Sequence, residues 1–262
     1  MGFLPRTSVL VLVVAMACAS AAYCDSLDKY NGKPRVRFFA ETHNQTESLQ
    51  RRDVYEAGHQ IDAPLFTYER ERKSARAVVG FSLPMLPGIP RTHFDLGLGS
   101  GEVDFELFHD PMVNPNRPIG LGKSMEYGMQ LAFDIGHPIV GVTLGIGWEQ
   151  SRMEFDRDRS SNEDYRHARY VETRWPMMLG LYVDVPHFRA SMGVRSANVR
   201  ADATISGSAT EPDINMRLEE DFPFHGYLDL EFMWNDFKLR YIRLGIYYGE
   251  GVGARFGCGF SF

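Results

Sequence analysis

Val252-Gly253-Ala254-Arg255-Phe256-Gly257-Cys258-Gly259-Phe260-Ser261-Phe262 closes the chain, and its spacing decides the fold. Every even position is apolar or aromatic; every odd position is Gly, Arg or Ser. Successive side chains of a β-strand point to opposite faces. This stretch therefore predicts a strand with one wholly apolar face and one that is small or charged.

The alternation recurs back along the chain. Met125, Tyr127, Met129, Leu131, Phe133 and Ile135 interleave with Glu126, Gln130 and Asp134. Val140, Val142, Leu144, Ile146 and Trp148 interleave with Gly141, Gly145, Gly147 and Glu149. Val36 and Phe38 oppose Arg37 and Glu41, Val79 and Phe81 oppose Arg76 and Ser82, and Phe94, Leu96 and Leu98 oppose Asp95. After Ser100-Gly101 the pattern resumes, with Val103, Phe105 and Leu107 against Asp104 and Glu106. Trp175, Leu179, Leu181 and Val183 oppose Glu172, Arg174 and Asp184, with Pro176 interrupting the run. Ala190, Met192 and Val194 oppose Arg189 and Arg195, after which a one-residue slip is expected, as a β-bulge would cause. From Ile214 to Trp234 one phase is expected throughout, with Met216, Leu218, Leu228 and Leu230 opposite His225, Asp229 and Glu231. Tyr241 is expected outward and Arg240 inward, followed by a second slip that turns Arg243 inward.

Counted this way, the chain holds about ten strands, with mostly short connections at one end and long ones at the other. The long stretches include 43–73 and 152–168, both rich in charge. The final strand ending on Phe262 resembles the C-terminal strand of bacterial outer-membrane β-barrel proteins, in which a terminal Phe is part of the assembly signal. That resemblance implies an all-β fold: a closed antiparallel up-and-down transmembrane β-barrel. It also implies localisation in the cell outer membrane of a Gram-negative bacterium, with outer-membrane lipid and the barrel-assembly machinery as partners. Two features of the residues favour lipid on the apolar side. The polar face carries both signs of charge, and the apolar face has aromatics near strand ends (Trp148, Trp175, Trp234). A soluble lipocalin-like barrel or a β-sandwich is the alternative with the same periodicity.

The start of the chain agrees with export. Arg6, the apolar run Val9–Ala17 and the small residues Ala19-Ser20-Ala21-Ala22 read as a signal peptide over 1–22, leaving 23–262 as one barrel domain. The net charge of −6 offers no basic footprint for nucleic acid. Of the three cysteines, Cys18 would leave with the signal peptide, and Cys24 and Cys258 remain as two thiols or one disulfide.

The inward charges are the candidates for function: Arg37, Arg76, Asp95, Glu126, Asp134, Glu149, Arg174, Asp184, Arg189, Arg195, Asp229, Glu231, Arg240, Arg243 and Arg255. A barrel of this size has little free lumen, because open aqueous channels need ~16–18 strands. Opposite charges in so narrow a space are expected to pair, since an unpaired buried charge is costly. The expected role is structural, or porin-like with limited permeation of small solutes through space left by inward glycines. The alternative is an outer-membrane hydrolase. Ten-stranded omptin proteases share this architecture, and that resemblance draws attention to Asp104, Glu106, His109 and Asp110 at the rim, where paired acids could activate a water. No metal or cofactor motif is present in the sequence, so none is expected.

Overall fold

The computed structural model describes residues 34–62, 67–86, 88–105, 122–156, 167–185, 187–206, 213–220, 224–234, 240–249 and 252–261. The expected signal peptide, Cys24, Glu106, His109 and Asp110 lie outside these residues. The elements are β1 (Arg35–Glu56), β2 (His59–Ile61), β3 (Thr67–Leu83), β4 (Arg91–Phe105), β5 (Gly122–Gly136), β6 (Val140–Asp156), β7 (His167–Val185), β8 (Phe188–Ser206), β9 (Ile214–Glu220), β10 (Phe224–Trp234), β11 (Arg240–Tyr248) and β12 (Val252–Ser261).

All pairings are antiparallel, and the ring closes where β12 meets β1, from Arg37 opposite Ser261 to Gln45 opposite Gly253. Around its base the barrel has ten strands: β1, β3 to β8, and β10 to β12. The two remaining strands belong to the far end. β2 folds back on β1 through a tight turn in which Ala57 and Gly58 take φ of 49° and 81°. β9 pairs with the upper half of β8 on one side and with Leu49–Glu56 of β1 on the other. There it bypasses β11 and β12, so the wall narrows from ten strands to eight. The start of β1 at Arg35, the end of β12 at Ser261 and the tight connections Gly136–Val140 and Val185–Phe188 share the base, called here the terminal end; β2 and β9 mark the distal end.

The outer face is apolar around the base. Phe38, Phe81, Leu98, Met129, Leu144, Leu179, Val194, Ile246 and Phe256 are all exposed there. On β3 the apolar set runs from Ala75 to Leu83 and on β12 from Val252 to Phe260, matching the ~9–11 residues a strand needs to cross a bilayer. Beyond that belt the outer face turns polar: Thr46, Glu102, Arg152, Asn198 and Arg200 are exposed.

Four sequence expectations need correction. The stretch 43–73 is largely strand, because β1 and β3 pair from Arg35–Ser82 up to Gln50–Thr67 and stand well clear of the belt. Pro176 does not break its strand; β7 keeps one register against β8 from His167–Ser206 to Val185–Phe188. For the same reason β8 has no slip: Arg189, Ser191, Ala197, Val199, Ala201 and Ala203 all lie buried on one continuous inner face. Conversely, the segment expected to hold one phase from Ile214 to Trp234 does not. Its register against β8 moves by one residue between Leu218–Ala201 and Phe224–Ser196, so Met216 and Leu218 face inward with His225 and Tyr227. The physical reason is common to the last two: the interior changes from polar to apolar along the axis.

Candidate functional site

The lumen is the site. At the terminal end Arg189 grips Asp134 with both terminal nitrogens, at 2.6 and 2.9 Å, and reaches Asp184 at 3.4 Å. Arg91 also donates to Asp184. One level up, Arg37 bonds Asp95 at 2.9 Å and Glu231 at 3.4 Å. Arg243 sits among Asp229, Glu231 and Asp95 at 3.4, 3.5 and 3.8 Å, and Arg255 holds Asp229 at 2.6 Å. Next come His43 against Glu41 at 2.9 Å and Arg76 forked onto Glu149 at 3.0 and 3.2 Å. At the top of the polar zone Glu126 accepts from Arg72 at 2.8 Å and Arg76 at 3.1 Å, and Glu172 accepts from Arg174 and from the Tyr170 hydroxyl.

Aromatic faces complete the packing. Arg189 lies 5.0 Å from the Tyr182 ring centre and Arg37 lies 5.6 Å from that of Tyr241. Tyr247 is sandwiched by Arg195 and Arg255 at 5.2 and 5.6 Å. Such contacts gain from desolvation, which the barrel wall provides. The inward glycines do not leave the space expected of them. A Cβ on Gly141 would meet the Tyr182 ring at 3.0 Å, one on Gly145 the Met178 side chain at 2.6 Å, and one on Gly180 the Tyr227 hydroxyl at 2.1 Å. Small residues on one strand are filled by large ones leaning over from the next.

Among the described residues, three small cavities are stacked along the axis. The most distal of them is about 50 Å³ and is lined by Glu41, Asp229, Tyr227, Tyr247 and Arg255 among others. Two of about 40 Å³ lie toward the terminal end, the last bounded by Ser82, Pro84, Arg91, His93 and Met233. A water needs ~10–15 Å³ by this measure, so each holds a few waters. The hydroxyls of Tyr227 and Tyr247, Oδ1 of Asp229 and Nε of Arg255 are buried without a protein partner, which marks this distal cavity as a place for water.

Above the ionic zone the lumen is closed by an apolar layer. Leu49, Met153, Tyr170, Val199, Ala201, Ala203, Met216 and Leu218 converge from β1, β6, β7, β8 and β9, with Leu49, Ala201 and Leu218 at 0 % exposure. The alanines of β8 give room for the leucines of β1 and β9.

Fourteen of the expected inward charges enter this network or its lining. Arg240 does not. β11 has no slip, since Tyr241, Arg243 and Tyr247 share the buried face, and Arg240 takes the alternate register position opposite Phe260. Asp104 holds a register position near the end of β4 opposite Glu71, and its side chain lies outside the described residues. Cys258 is exposed on the outer face of β12. The sequence reading passed over Arg72 and His43, which it placed in a loop, and Arg91 and His93, at the edge of a strand start. Continuing the alternation of Arg76 two steps back, through Ser74 to Arg72, would have found the first.

Fold and lumen together define a transmembrane-type β-barrel with a filled polar interior. No family model and no characterised protein sequence matches the chain. Among solved structures it is similar to the outer membrane protein OprG from Pseudomonas aeruginosa, at TM-score 0.50 and 13% identity, covering 88% of this chain and 98% of that one. It is also similar to the translocator domain of the autotransporter NalP from Neisseria meningitidis, at TM-score 0.49 and 13% identity over 98% of both chains. The outer membrane protease OmpT from Escherichia coli aligns at TM-score 0.47 and 10% identity, over 89% of this chain and 97% of that one. The likeness to OprG shows the fold: an outer-membrane-type β-barrel.

Proposed function

We propose that the chain is an outer-membrane barrel of a Gram-negative-type envelope with a structural role, whose lumen passes at most water-sized solutes. In this reading the signal peptide directs export, the C-terminal strand engages the assembly machinery, and the terminal end faces the periplasm. The single observation that carries it is the closure of the lumen: charge-paired side chains fill the base and the apolar layer of Leu49 and Leu218 seals the distal end. Small cavities with polar linings supply water sites but no wide path.

The test is conductance of the refolded chain in a planar bilayer. Native barrel, verified as folded by its different gel mobility before and after boiling, is expected to be silent or to show only rare small openings. Leu49→Ala with Leu218→Ala is expected to raise the frequency of openings. Large, stable conductance from the native chain would refute the closed-lumen reading.

A further inference from the structure

We propose that Ser82, His93 and Asp134 form a nucleophilic relay at the terminal mouth of the lumen, giving this barrel an esterase activity toward small acyl esters. The residues stand on three consecutive strands. Ser82 of β3 is directly opposite His93 of β4, and Asp134 of β5 is one diagonal step from His93. Ser82 Oγ lies 2.8 Å from His93 Nδ1, and His93 Nε2 lies 2.8 Å from Asp134 Oδ2.

The proton positions follow from the partners. Asp134 is fully buried and gripped by Arg189, so it is an ionised acceptor. It can only accept from His93, which puts the ring proton on Nε2 and leaves the lone pair of Nδ1 facing the serine hydroxyl. That is the arrangement of a base, oriented by a carboxylate, beside a hydroxyl nucleophile. A purely structural ladder of hydrogen bonds needs no space at the serine. Here Ser82 and His93 line the terminal cavity of about 40 Å³, the room of a few waters, together with Arg35, Arg91 and Arg189 and the carboxylates Asp184 and Glu231. Arg91 and Arg189 stay paired with Asp184 and Asp134, so they add positive field at this mouth rather than a dedicated oxyanion donor.

The reaction balances without an outside reagent except water. Ser82 Oγ bonds to the ester carbonyl carbon as its proton passes to His93 Nδ1. The C–O bond to the alcohol breaks, and the leaving oxygen takes that proton. Water then attacks the acyl-serine with His93 again as base, releasing the acid and restoring the hydroxyl. Arg189 shares the carboxylate, so Asp134 orients the imidazole more than it stabilises an imidazolium. The contribution of the base is therefore expected near the lower end of ~10²–10⁴-fold.

Covalent capture is the sensitive readout. Refolded full chain is treated with an alkyl fluorophosphonate and the adduct located by mass spectrometry, with p-nitrophenyl acetate hydrolysis followed in parallel. The expected result is a label on Ser82, absent in Ser82→Ala, and at least about tenfold slower in a folded His93→Gln barrel. If His93→Gln does not fold, the native labelling rate is measured over the whole pH range in which the barrel stays folded, where a rise through one titration is expected. A folded native barrel left unlabelled at Ser82 would overturn the proposal, as would a rate indifferent to His93→Gln or to pH.

Discussion

Glu126 gives the cleanest measure of how dry the lumen is. Its carboxylate is 1 % exposed and bridges two guanidinium groups, Arg72 at 2.8 Å and Arg76 at 3.1 Å. Glu126→Gln keeps the shape and removes the charge. At an effective dielectric of 20, each contact is worth ~5 kcal/mol of gross attraction, most of it offset by desolvation. Breaking a buried pair from one side typically costs ~3–5 kcal/mol. Arg76 keeps its fork onto Glu149, and Arg72 keeps Glu172 at 3.9 Å, so the loss should fall near the lower figure, about 3 kcal/mol. The assay is urea unfolding of the refolded barrel in phospholipid vesicles, followed by tryptophan fluorescence and analysed at constant slope. Arg152→Ala, which breaks the exposed pair with Glu154, is the control and should cost under ~1 kcal/mol. If Glu126→Gln costs no more than that control, its neighbours are hydrated, the interior is a wet channel, and the reasoning fails.

Three further outcomes test other parts of the account. In the apolar layer Leu218→Ala should cost ~2–5 kcal/mol and Ala201→Leu ~1–3 kcal/mol by overpacking; equilibrium unfolding that registers neither would mean the layer is loose. On the outer belt Leu144→Arg should cost ~2–4 kcal/mol in vesicles, whereas Asn198→Arg, beyond the belt, should cost ~0–1 kcal/mol. Equal penalties would remove the lipid from the argument. Where β7 and β8 touch, a Cβ on Gly193 would stand 2.1 Å from the Leu179 carbonyl oxygen and 2.4 Å from Gly180 Cα, so Gly193→Val should abolish the folded gel band. Gly97→Ala, whose nearest neighbours are 3.7 and 3.8 Å away, should leave the band in place.

Fold class was legible because the apolar face is unbroken for whole strand lengths, in Met125–Ile135 and Val252–Phe260 above all. Most of the charged lumen followed from the same alternation. What misled was one assumption, that polar means inside at every height. It holds for Arg189 and Asp229 but not for Ala201 or Leu218, which lie inward because the distal interior is apolar. A run of small apolar residues then looks like a phase slip on β8, and a true change of phase between Leu218 and His225 looks like continuity. Tyr241 misled in the same way: a tyrosine between two arginines suits either lipid or a cation–π contact, and only its neighbour Arg37 decides. The pairing of Ser82, His93 and Asp134 joins residues from three strands, and alternation within one strand carries no trace of it.

The narrowing of the wall has a consequence for assembly. The hairpin of β11 and β12 stands in a window: β10 forms one jamb, the lower half of β1 the other, and β9 the lintel where it pairs with β1. The eight-stranded ring above the window is complete without the hairpin. The chain can therefore zip shut at the lintel first, from residues well before its end, and receive the last hairpin as a shutter into a frame already the right width. Such an order keeps the open edges of β1 and β10 a fixed distance apart while they wait, which limits sideways pairing with another copy.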